Sequence, residues 1–273
     1  MTKTLCCYNT IPDFALLSET EWALGSRAGF VDTSYLKNKL NCFDESALEL
    51  ALRFKEKLLK EGPLCSLTAL SVGSGDRSLQ KSLAANGYEN VYDISLPGES
   101  TNTSSETISR ILCSFIRKKG FFDVIVLGME CELSNNSRVP FLLAEMLGIS
   151  CFSQVQNFLP QSDGSLFVEY LRDDGICHES VSYPVILAIG NAQDTCLRIP
   201  TLKQRLTVEE GVLHTCSFSD FVTEDEIFRS DMTCSLMSLT PNISHREGCV
   251  VDNSNEELCA RKMLDFIMEI QSR

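Results

Sequence analysis

Apolar runs alternate with amphipathic segments over the first 160 residues of this chain. Continuous apolar runs predict strands covered on both faces, whereas apolar side chains recurring every three or four residues predict helices that pack on a sheet. The predicted strands are TLCCYNTI (4–11), LCSLTALSVGSG (64–75), NVYDISL (90–96), FFDVIVLG (121–128) and a run at about 150–156. The predicted helices run from about Asp44 to Gly62, over 77–87, over 104–120 and near 139–147, with a loop from Pro12 to about residue 40. This alternation indicates βαβ units, and therefore an α/β fold with a parallel sheet and helices on both faces.

The rhythm changes after about residue 160. Two β-rich runs flank Asp173, Asp174 and Gly175, which predicts a β-hairpin, and VILAIG (185–190) predicts another buried strand. The remainder is irregular, above all in the Ser/Thr/Asn-rich stretch 215–255, and ends in a predicted helix over 255–273. We therefore expect an α/β domain over 1–190 and a C-terminal arm over 191–273. So long an irregular stretch indicates an arm that lies on a partner subunit.

Composition and charge narrow the class of protein. The 273 residues are 44% hydrophobic and 22% charged, as in globular proteins, and the net charge of -13 argues against nucleic acid as a partner. No run of about 20 apolar residues predicts a transmembrane segment, and the N-terminal residues do not resemble a signal peptide. The 13 cysteines are scattered, odd in number and without CxxC spacing, which favours reduced thiols in the cytoplasm over disulfides or a metal site.

Ligands of parallel α/β sheets bind beyond the carboxyl ends of the strands. Three such ends carry suitable residues here: CYNTIPD, SVGSGD and GMECELSNNSR. Gly73 and Gly75 would let a phosphate approach the backbone closely, but two glycines in a tight turn are the simpler explanation. Neither a GxGxxG nor a Walker motif is present, so a standard dinucleotide or P-loop site is excluded.

The loop after the strand 121–128 leads into a helix. Asn136 or Ser137 is expected to cap that helix, with Pro140 in its first turn, so that free N–H groups could attract an anion. Arg138 could add a bidentate contact to a phosphate. The alternative is an ordinary capped helix with an exposed arginine.

Catalytic groups are sparse. His178, His214 and His245 lack a recognisable nucleophile–base context, and solvated or structural roles suit them better. Three acids open the long helix, where they complement its dipole: Asp44, Glu45 and Glu49. The chain is therefore not expected to be a stand-alone enzyme.

Several stretches, in order and in register, resemble the beta subunit of electron transfer flavoproteins. YNTIPD corresponds to the family's VKxVPD, and NCFDESALELALRFKE to its NPFDEYALEEALRLKE. LTALSVG corresponds to TALSVG, and FDVIVLGMECELSNNSRVPFLLAEMLGI to DLVLxGxQAxDGDxxQVGPxLAExLGx. The resemblance covers residues 4 to about 206 together with the C-terminal helix.

The resemblance implies an adenine-nucleotide-binding, Rossmann-like fold that pairs with an alpha subunit and carries electrons through FAD shared with or held by that subunit. The beta-subunit site would hold AMP or, in electron-bifurcating members, a second FAD. The corresponding cofactor-binding residues are Tyr8, Asn9, Asn41, Ser71, Val72, Gly73, Gly128, Cys131, Asn135, Asn136, Ser137, Arg138 and Val139. The segment 197–206 resembles the family's recognition loop for a flavin-containing dehydrogenase, with Leu202 as the docking leucine.

The departures from the family pattern lie in the site itself. Asn9 replaces a lysine, Leu133 and Asn135 replace two aspartates, and Arg138 replaces a glutamine. Met129 and Glu130 stand where the family has Lys-Gln.

Three hypotheses follow. The first is a beta subunit that passes electrons between a dehydrogenase or NADH and an acceptor. The second is a structural or regulatory subunit that binds AMP or no nucleotide. The third, a nucleotide-hydrolysing enzyme of the same fold, lacks a positioned base or metal ligand set.

Overall fold

The computed structural model describes residues 1–29, 31–62, 64–96, 104–131, 136–193, 195–221 and 255–271. Its strands are β1 (Thr2–Tyr8), β2 (Thr10–Pro12), β3 (Asn38–Leu40), β4 (Cys65–Val72), β5 (Asn90–Ser95), β6 (Val124–Gly128), β7 (Ser150–Pro160), β8 (Leu166–Arg172), β9 (Gly175–Val181), β10 (Val185–Ile189) and β11 (Leu213–Ser217). Its helices are α1 (Glu19–Ala28), α2 (Cys42–Glu61), α3 (Arg77–Asn86), α4 (Ser105–Lys119), α5 (Val139–Leu147), α6 (Leu202–Leu206) and α7 (Glu256–Gln271).

Nine strands form one sheet in the order β11-β5-β4-β1-β6-β10-β7-β8-β9. All pairs from β11 to β7 are parallel, and β8 and β9 extend the sheet as an antiparallel hairpin. Strands β2 and β3 form a separate antiparallel pair. The predicted parallel sheet and hairpin are confirmed.

Two apolar clusters lie on opposite faces of this sheet. On one face, α2 packs Leu48 and Phe54 against alternate residues of β1 such as Cys6. On the other, α4 packs Phe115 and α5 packs Leu143. Because successive side chains of a strand point to opposite faces, every central strand contributes residues to both clusters. The predicted helices on both faces are confirmed.

Two regions of the chain differ from the sequence predictions. The region predicted as a loop before residue 40 contains α1 and the short strand β3. Helix α1 was not predicted because Gly25 and Ser26 lower the helix propensity of the segment that forms it. The arm predicted to be irregular contains α6 and β11, and β11 pairs in parallel with β5 from Leu213 to Ser217. A five-residue strand with a polar middle carries too little periodicity to be recognised alone.

The described chain divides into two compact units. Residues 1–18 and 32–221 belong to the first, which contains the nine-stranded sheet, α2 to α6 and the segment 195–221. The second comprises α1 and α7, and α7 confirms the predicted C-terminal helix. The functional division at residue 190 stays a prediction, and most of the stretch 215–255 lies outside the described residues. Among the helices described, none is both long and apolar enough to cross a bilayer.

Candidate functional site

A cleft opens at the carboxyl ends of β1, β4 and β6. The chain runs outward from β1 to β4 on one side and returns to β6 on the other, so the cleft lies where the strand order reverses. It encloses about 540 Å³, part of it open to solvent. Its lining residues are Cys7, Tyr8, Asn9, Asp44, Leu70, Val72, Ile108, Leu112, Leu127, Gly128, Glu130, Cys131 and Val139.

Hydrogen bonds to the Asp44 carboxylate connect the segments that form the cleft. Its Oδ1 accepts a hydrogen bond from the backbone N–H of Gly128 at 2.7 Å, and its Oδ2 accepts one from the backbone N–H of Asn9 at 3.0 Å. The side-chain amide of Asn41 also donates to Oδ2, at 3.1 Å. One carboxylate therefore joins the end of β1, the start of α2 and the end of β6.

Glycine is required at position 128 because of this contact. A Cβ on Gly128 would lie 2.5 Å from Oδ1 of Asp44 and 2.8 Å from its backbone nitrogen. Real Cβ atoms do not approach other atoms so closely, and the backbone nitrogen cannot rotate away. The close approach of β6 to the first turn of α2 thus depends on this glycine.

Burial raises the pKa of Asp44 to about 6, and the hydrogen bonds from Asn41, Gly128 and Asn9 oppose that shift. The side chain is 6% exposed, so desolvation of the charged form dominates. The cleft therefore contains a buried acid that titrates just below neutral pH.

Two buried polar atoms at the cleft have no hydrogen-bond partner among the described residues: the Tyr8 hydroxyl and Oδ1 of Asn41. Ser71 pairs with Tyr8 across β1 and β4, but its hydroxyl donates to Asp93 at 2.6 Å. The amide nitrogen of Asn41 donates to the Glu130 carbonyl at 2.6 Å, which leaves Oδ1 unused. Since buried polar groups are normally paired, these atoms fit hydrogen bonds to a ligand.

The turn after β4 is filled by the protein's own carboxylate. Oδ1 of Asp93 accepts from the backbone N–H of Ser74, and Oδ2 accepts from that of Gly75, both at 3.2 Å. Gly73 has a positive φ of 77°. This arrangement favours the interpretation of the two glycines as turn residues, because the N–H groups that a phosphate would use are occupied.

The helix after β6 begins differently from the prediction. Asn136–Arg138 form a 3-10 turn that continues into α5, and Arg138 occupies the N-cap position without a side-chain cap hydrogen bond. The prediction that Asn136 or Ser137 caps the helix is wrong. Arg138 has helical backbone angles rather than the extended conformation that side-chain capping requires. Pro140 lies in the first turn, as predicted.

Arg138 points toward an acid rather than into the cleft lining. Its Nη2 lies 3.0 Å from Oε1 of Glu106 in the first turn of α4, and its side chain is 67% exposed. The charged side chains that do line the cleft are Asp44 and Glu130, and the described lining includes no Lys, Arg or His. The site is therefore acidic and largely apolar.

The predicted site residues divide into three groups. Those that line the cleft are Tyr8, Asn9, Val72, Gly128, Cys131 and Val139. Those that adjoin it without lining it are Asn41, Ser71, Gly73, Asn136, Ser137 and Arg138. Asn135 and Leu133 lie outside the described residues.

Sequence reasoning missed 6 of the 13 lining residues. The missed residues are Cys7, Asp44, Leu70, Ile108, Leu112 and Leu127. Asp44 carried a signal, an acid at the start of a helix next to a candidate ligand loop, but that signal also fits the helix dipole alone. The apolar residues could not be separated from ordinary core residues of β4, β6 and α4.

A second feature lies beyond the cleft, where residues 195–198 run along α2. The Thr195 hydroxyl donates to that of Ser46 at 2.6 Å, and the backbone N–H of Leu197 donates to Glu45 at 3.2 Å. These bonds fix the start of the segment predicted as a recognition loop.

Leu202 follows as the first residue of α6, with its side chain 72% exposed. Thr201 caps α6 through a reciprocal pair of hydrogen bonds with Gln204. Ile199 and Leu206 are also strongly exposed. The loop thus presents a small apolar knob on a locally ordered turn.

The described histidines lie away from the cleft. His178 contacts Glu169 on the hairpin at 2.9 Å, and His214 stacks on Tyr92 at a centroid distance of 4.4 Å. His245 lies outside the described residues. In the described part of the chain, no group of three or more His, Cys, Asp or Glu side chains is arranged to hold a metal ion.

Comparisons with known proteins identify the family of this chain. The family described as "Electron transfer flavoprotein domain" matches residues 29–193. An Escherichia coli K12 protein, described as "Putative electron transfer flavoprotein subunit YgcR", is 30% identical over 208 residues, which cover 74% of this chain and 76% of that protein. Residues 29–193 contain α2, β4 and β6, which border the cleft, but not β1, which borders it as well. The chain therefore belongs to the electron transfer flavoprotein family.

Proposed function

We propose that this chain is the beta-type subunit of an electron transfer flavoprotein, an electron carrier rather than a stand-alone enzyme. In an alpha-beta heterodimer, it would pass electrons between a dehydrogenase, or NADH, and an acceptor. The flavin of FAD, shared with or held by the alpha subunit, supplies the redox chemistry when bound. The polypeptide supplies binding, position and electrostatics.

One observation carries the proposal. Each of the four stretches that resemble the beta subunit contributes residues to the cleft: Tyr8 and Asn9 from the first, Asp44 from the second, Leu70 from the third and Gly128 from the fourth. These stretches are distant in sequence and meet only where the strand order reverses. Their convergence supports a retained nucleotide site rather than a shared scaffold alone.

The cleft also has side chains suited to a nucleotide base. Leu70, Leu112 and Leu127 provide apolar surface for a base. The unpaired hydroxyl of Tyr8, a lining residue, provides a polar contact. AMP is the ligand that we propose for this site, with a second FAD as the alternative.

The recognition loop supports docking to a second protein. An exposed leucine contributes little to the stability of the free protein, but a leucine that fills a partner's pocket can supply much of the binding energy of an interface. Leu202 is held on a capped turn whose base is bonded to α2, so little ordering would be needed on binding. The proposed partner at this loop is a flavin-containing dehydrogenase, and the proposed location is the cytoplasm.

Co-purification with an alpha-type subunit tests the proposal. We expect the complex to be yellow, to show the absorption bands of oxidised flavin, and to lose them on reduction by a dehydrogenase. A well-folded complex without flavin would contradict it.

A second candidate function is favoured by the acidic lining of the cleft. Asp44 and Glu130 oppose an anionic ligand, and Arg138 is engaged with Glu106. A structural or regulatory subunit that holds AMP, or no nucleotide, would tolerate such a site. Counting FAD and AMP released from the complex separates the two functions.

A further inference from the structure

Three exposed apolar side chains lie side by side at the amino ends of the central strands, at the end of the sheet opposite the cleft. Met1 precedes β1, Leu64 precedes β4, and Phe121 lies three residues before β6. The exposed fraction of each side chain lies between 63% and 74%. Because β4, β1 and β6 are neighbours in the sheet, where adjacent strands lie about 5 Å apart, the three side chains form one patch. We call it the amino-edge patch.

Hydrogen bonds between the strand starts fix the backbone around this patch. The N–H of Thr2 donates to the carbonyl of Leu64 at 2.9 Å, and the N–H of Asp123 donates to the carbonyl of Lys3 at 2.8 Å. Phe122 is buried and packs in the core, so the phenylalanine before it is held at the surface. The amino-edge patch therefore needs little ordering when it binds a partner.

Basic residues surround the amino-edge patch, although the whole chain is acidic. Helices α2 and α4 lead into β4 and β6, so their last turns lie at this same end of the sheet. The basic residues of these turns, all exposed, are Lys60, Arg117, Lys118 and Lys119. The exposed Lys3 of β1 is a fifth. The segments 1–3, 60–64 and 117–124 thus contain five basic residues against two acidic ones, Glu61 and Asp123, in a chain whose net charge is -13.

The basic residues at the end of α4 contact neutral groups. Lys118 donates to the backbone carbonyl of Asp220, and the Nζ of Lys119 lies 4.7 Å from the centre of the Tyr92 ring. Arg117 donates to a backbone carbonyl of α5 at 2.8 Å. Because neither carbonyls nor aromatic rings carry a net charge, these contacts leave the three positive charges available to an anionic partner.

The charge and the size of the patch select among possible partners. A second copy of this chain would bring the same basic residues face to face, and like charges oppose such pairing. A specific protein interface uses roughly 20 residues a side, many more than the three apolar side chains here. Shallow insertion into a bilayer needs only a few apolar side chains, together with basic residues that attract anionic headgroups.

We propose that the amino-edge patch docks this chain on the surface of an anionic lipid bilayer. Leu64 and Phe121 enter the headgroup region, and the surrounding lysines and Arg117 lie against anionic headgroups. Because the cleft lies at the carboxyl ends of the same strands, it faces away from the bilayer. This inference goes beyond the proposed function and does not depend on it.

Vesicle sedimentation with the full-length chain tests the proposal. The probes are vesicles of phosphatidylcholine alone and vesicles that also contain about 30% phosphatidylglycerol. We expect binding to the anionic vesicles to be at least about tenfold stronger than to the neutral ones, and to weaken as added salt screens the charges. Equal binding to both kinds of vesicle, or no binding to the anionic ones, would overturn the proposal.

Matched variants locate the contact. Leu64→Ser and Phe121→Ser should each weaken binding to the anionic vesicles about five- to tenfold, because each removes apolar area that the bilayer would bury. Lys119→Gln should weaken it about fivefold by removing one charge. Leu16→Ser and Lys37→Gln are the controls, because both residues are exposed and flank the β2–β3 pair beyond the carboxyl end of β1. Losses of equal size in the controls would contradict the assignment to the amino-edge patch.

Two further results would assign the patch to a different partner. A dimer in sedimentation velocity that Phe121→Ser dissociates would assign it to a second copy of this chain. Binding to polyglutamate without binding to anionic vesicles would assign it to an acidic protein. Either result would overturn the lipid assignment.

Discussion

Arg198 forms an ion pair with the buried carboxylate of Glu49, and this pair fastens the proposed recognition loop to the middle of α2. Nη2 and Nε of Arg198 lie 2.8 Å and 3.1 Å from the Glu49 carboxylate, and the backbone N–H of Arg198 donates to the same group at 3.2 Å. Arg198 also contacts Glu56. Burial raises the pKa of Glu49, but hydrogen bonds from Arg198 and Arg53 outweigh it and hold that pKa below its usual value.

We expect Arg198→Ala to lower the free energy of unfolding by about 2 kcal/mol, because it leaves a buried carboxylate with one fewer partner. It should also weaken dehydrogenase docking, since residues 199–206 lose their anchor. Denaturant unfolding and binding titrations measure the two effects. Arg53→Ala is the control, because it removes the other Glu49 contact, at 3.1 Å, from within α2. Equal docking losses in both variants would argue against the anchor.

Leu202 should matter for docking and not for folding. Leu202→Ala is expected to weaken binding to the dehydrogenase at least tenfold, because it removes the apolar contact at the centre of the knob. Its effect on stability should stay within about 0.5 kcal/mol, since the side chain is largely exposed. Leu64→Ala, a similarly exposed leucine before β4, should change neither quantity. Loss of docking in both variants would indicate a nonspecific effect.

Gly128 allows the close approach of β6 to α2. Gly128→Ala should lower the free energy of unfolding by about 2 kcal/mol or more, because the new methyl group meets Asp44. It should also reduce nucleotide binding by displacing the cleft wall. Gly211→Ala is the matched control, since a Cβ there meets nothing within 4 Å and φ is not positive. Thermal unfolding of both variants gives the comparison, and a neutral Gly128→Ala would contradict the proposed packing.

Asp44 makes stability depend on pH in a defined direction. Its pKa is about 6 in the folded chain, against an ordinary value of 3.8, so the folded chain binds more protons between these values. The stability contributed by protonated Asp44 is complete below about pH 4 and is lost as the pH rises through about 6. The difference in unfolding free energy between wild type and Asp44→Asn should fall over that window by about 3 kcal/mol. A difference that rises with pH would show that Asp44 is stabilised as a carboxylate instead.

The sheet and most helices could be predicted because the apolar pattern of their residues indicates burial. VIVLG and VILAI are continuous apolar runs, as expected of strands covered on both faces, and Gly62 ends α2 in a left-handed conformation. The same reasoning could not find β11, whose pairing with β5 is set by contacts across more than 120 residues.

The candidate site was harder to predict than the fold. Its position followed from strand ends and the family resemblance, but the role of Asp44 depends on donors in distant parts of the chain, the N–H groups of Asn9 and Gly128. The use of Asp93 to fill the β4 turn is equally invisible until β4 and β5 are paired. Local patterns therefore located the cleft, and tertiary hydrogen bonds determined its charge.

The most direct test of the central claim is to count the nucleotides released from the purified alpha-beta complex. The account predicts stoichiometric FAD that a dehydrogenase reduces. In the Leu202→Ala variant, the dehydrogenase should no longer reduce this FAD during turnover. A correctly assembled complex that releases AMP alone, or no nucleotide, would contradict the electron-carrying function and favour a structural or regulatory subunit.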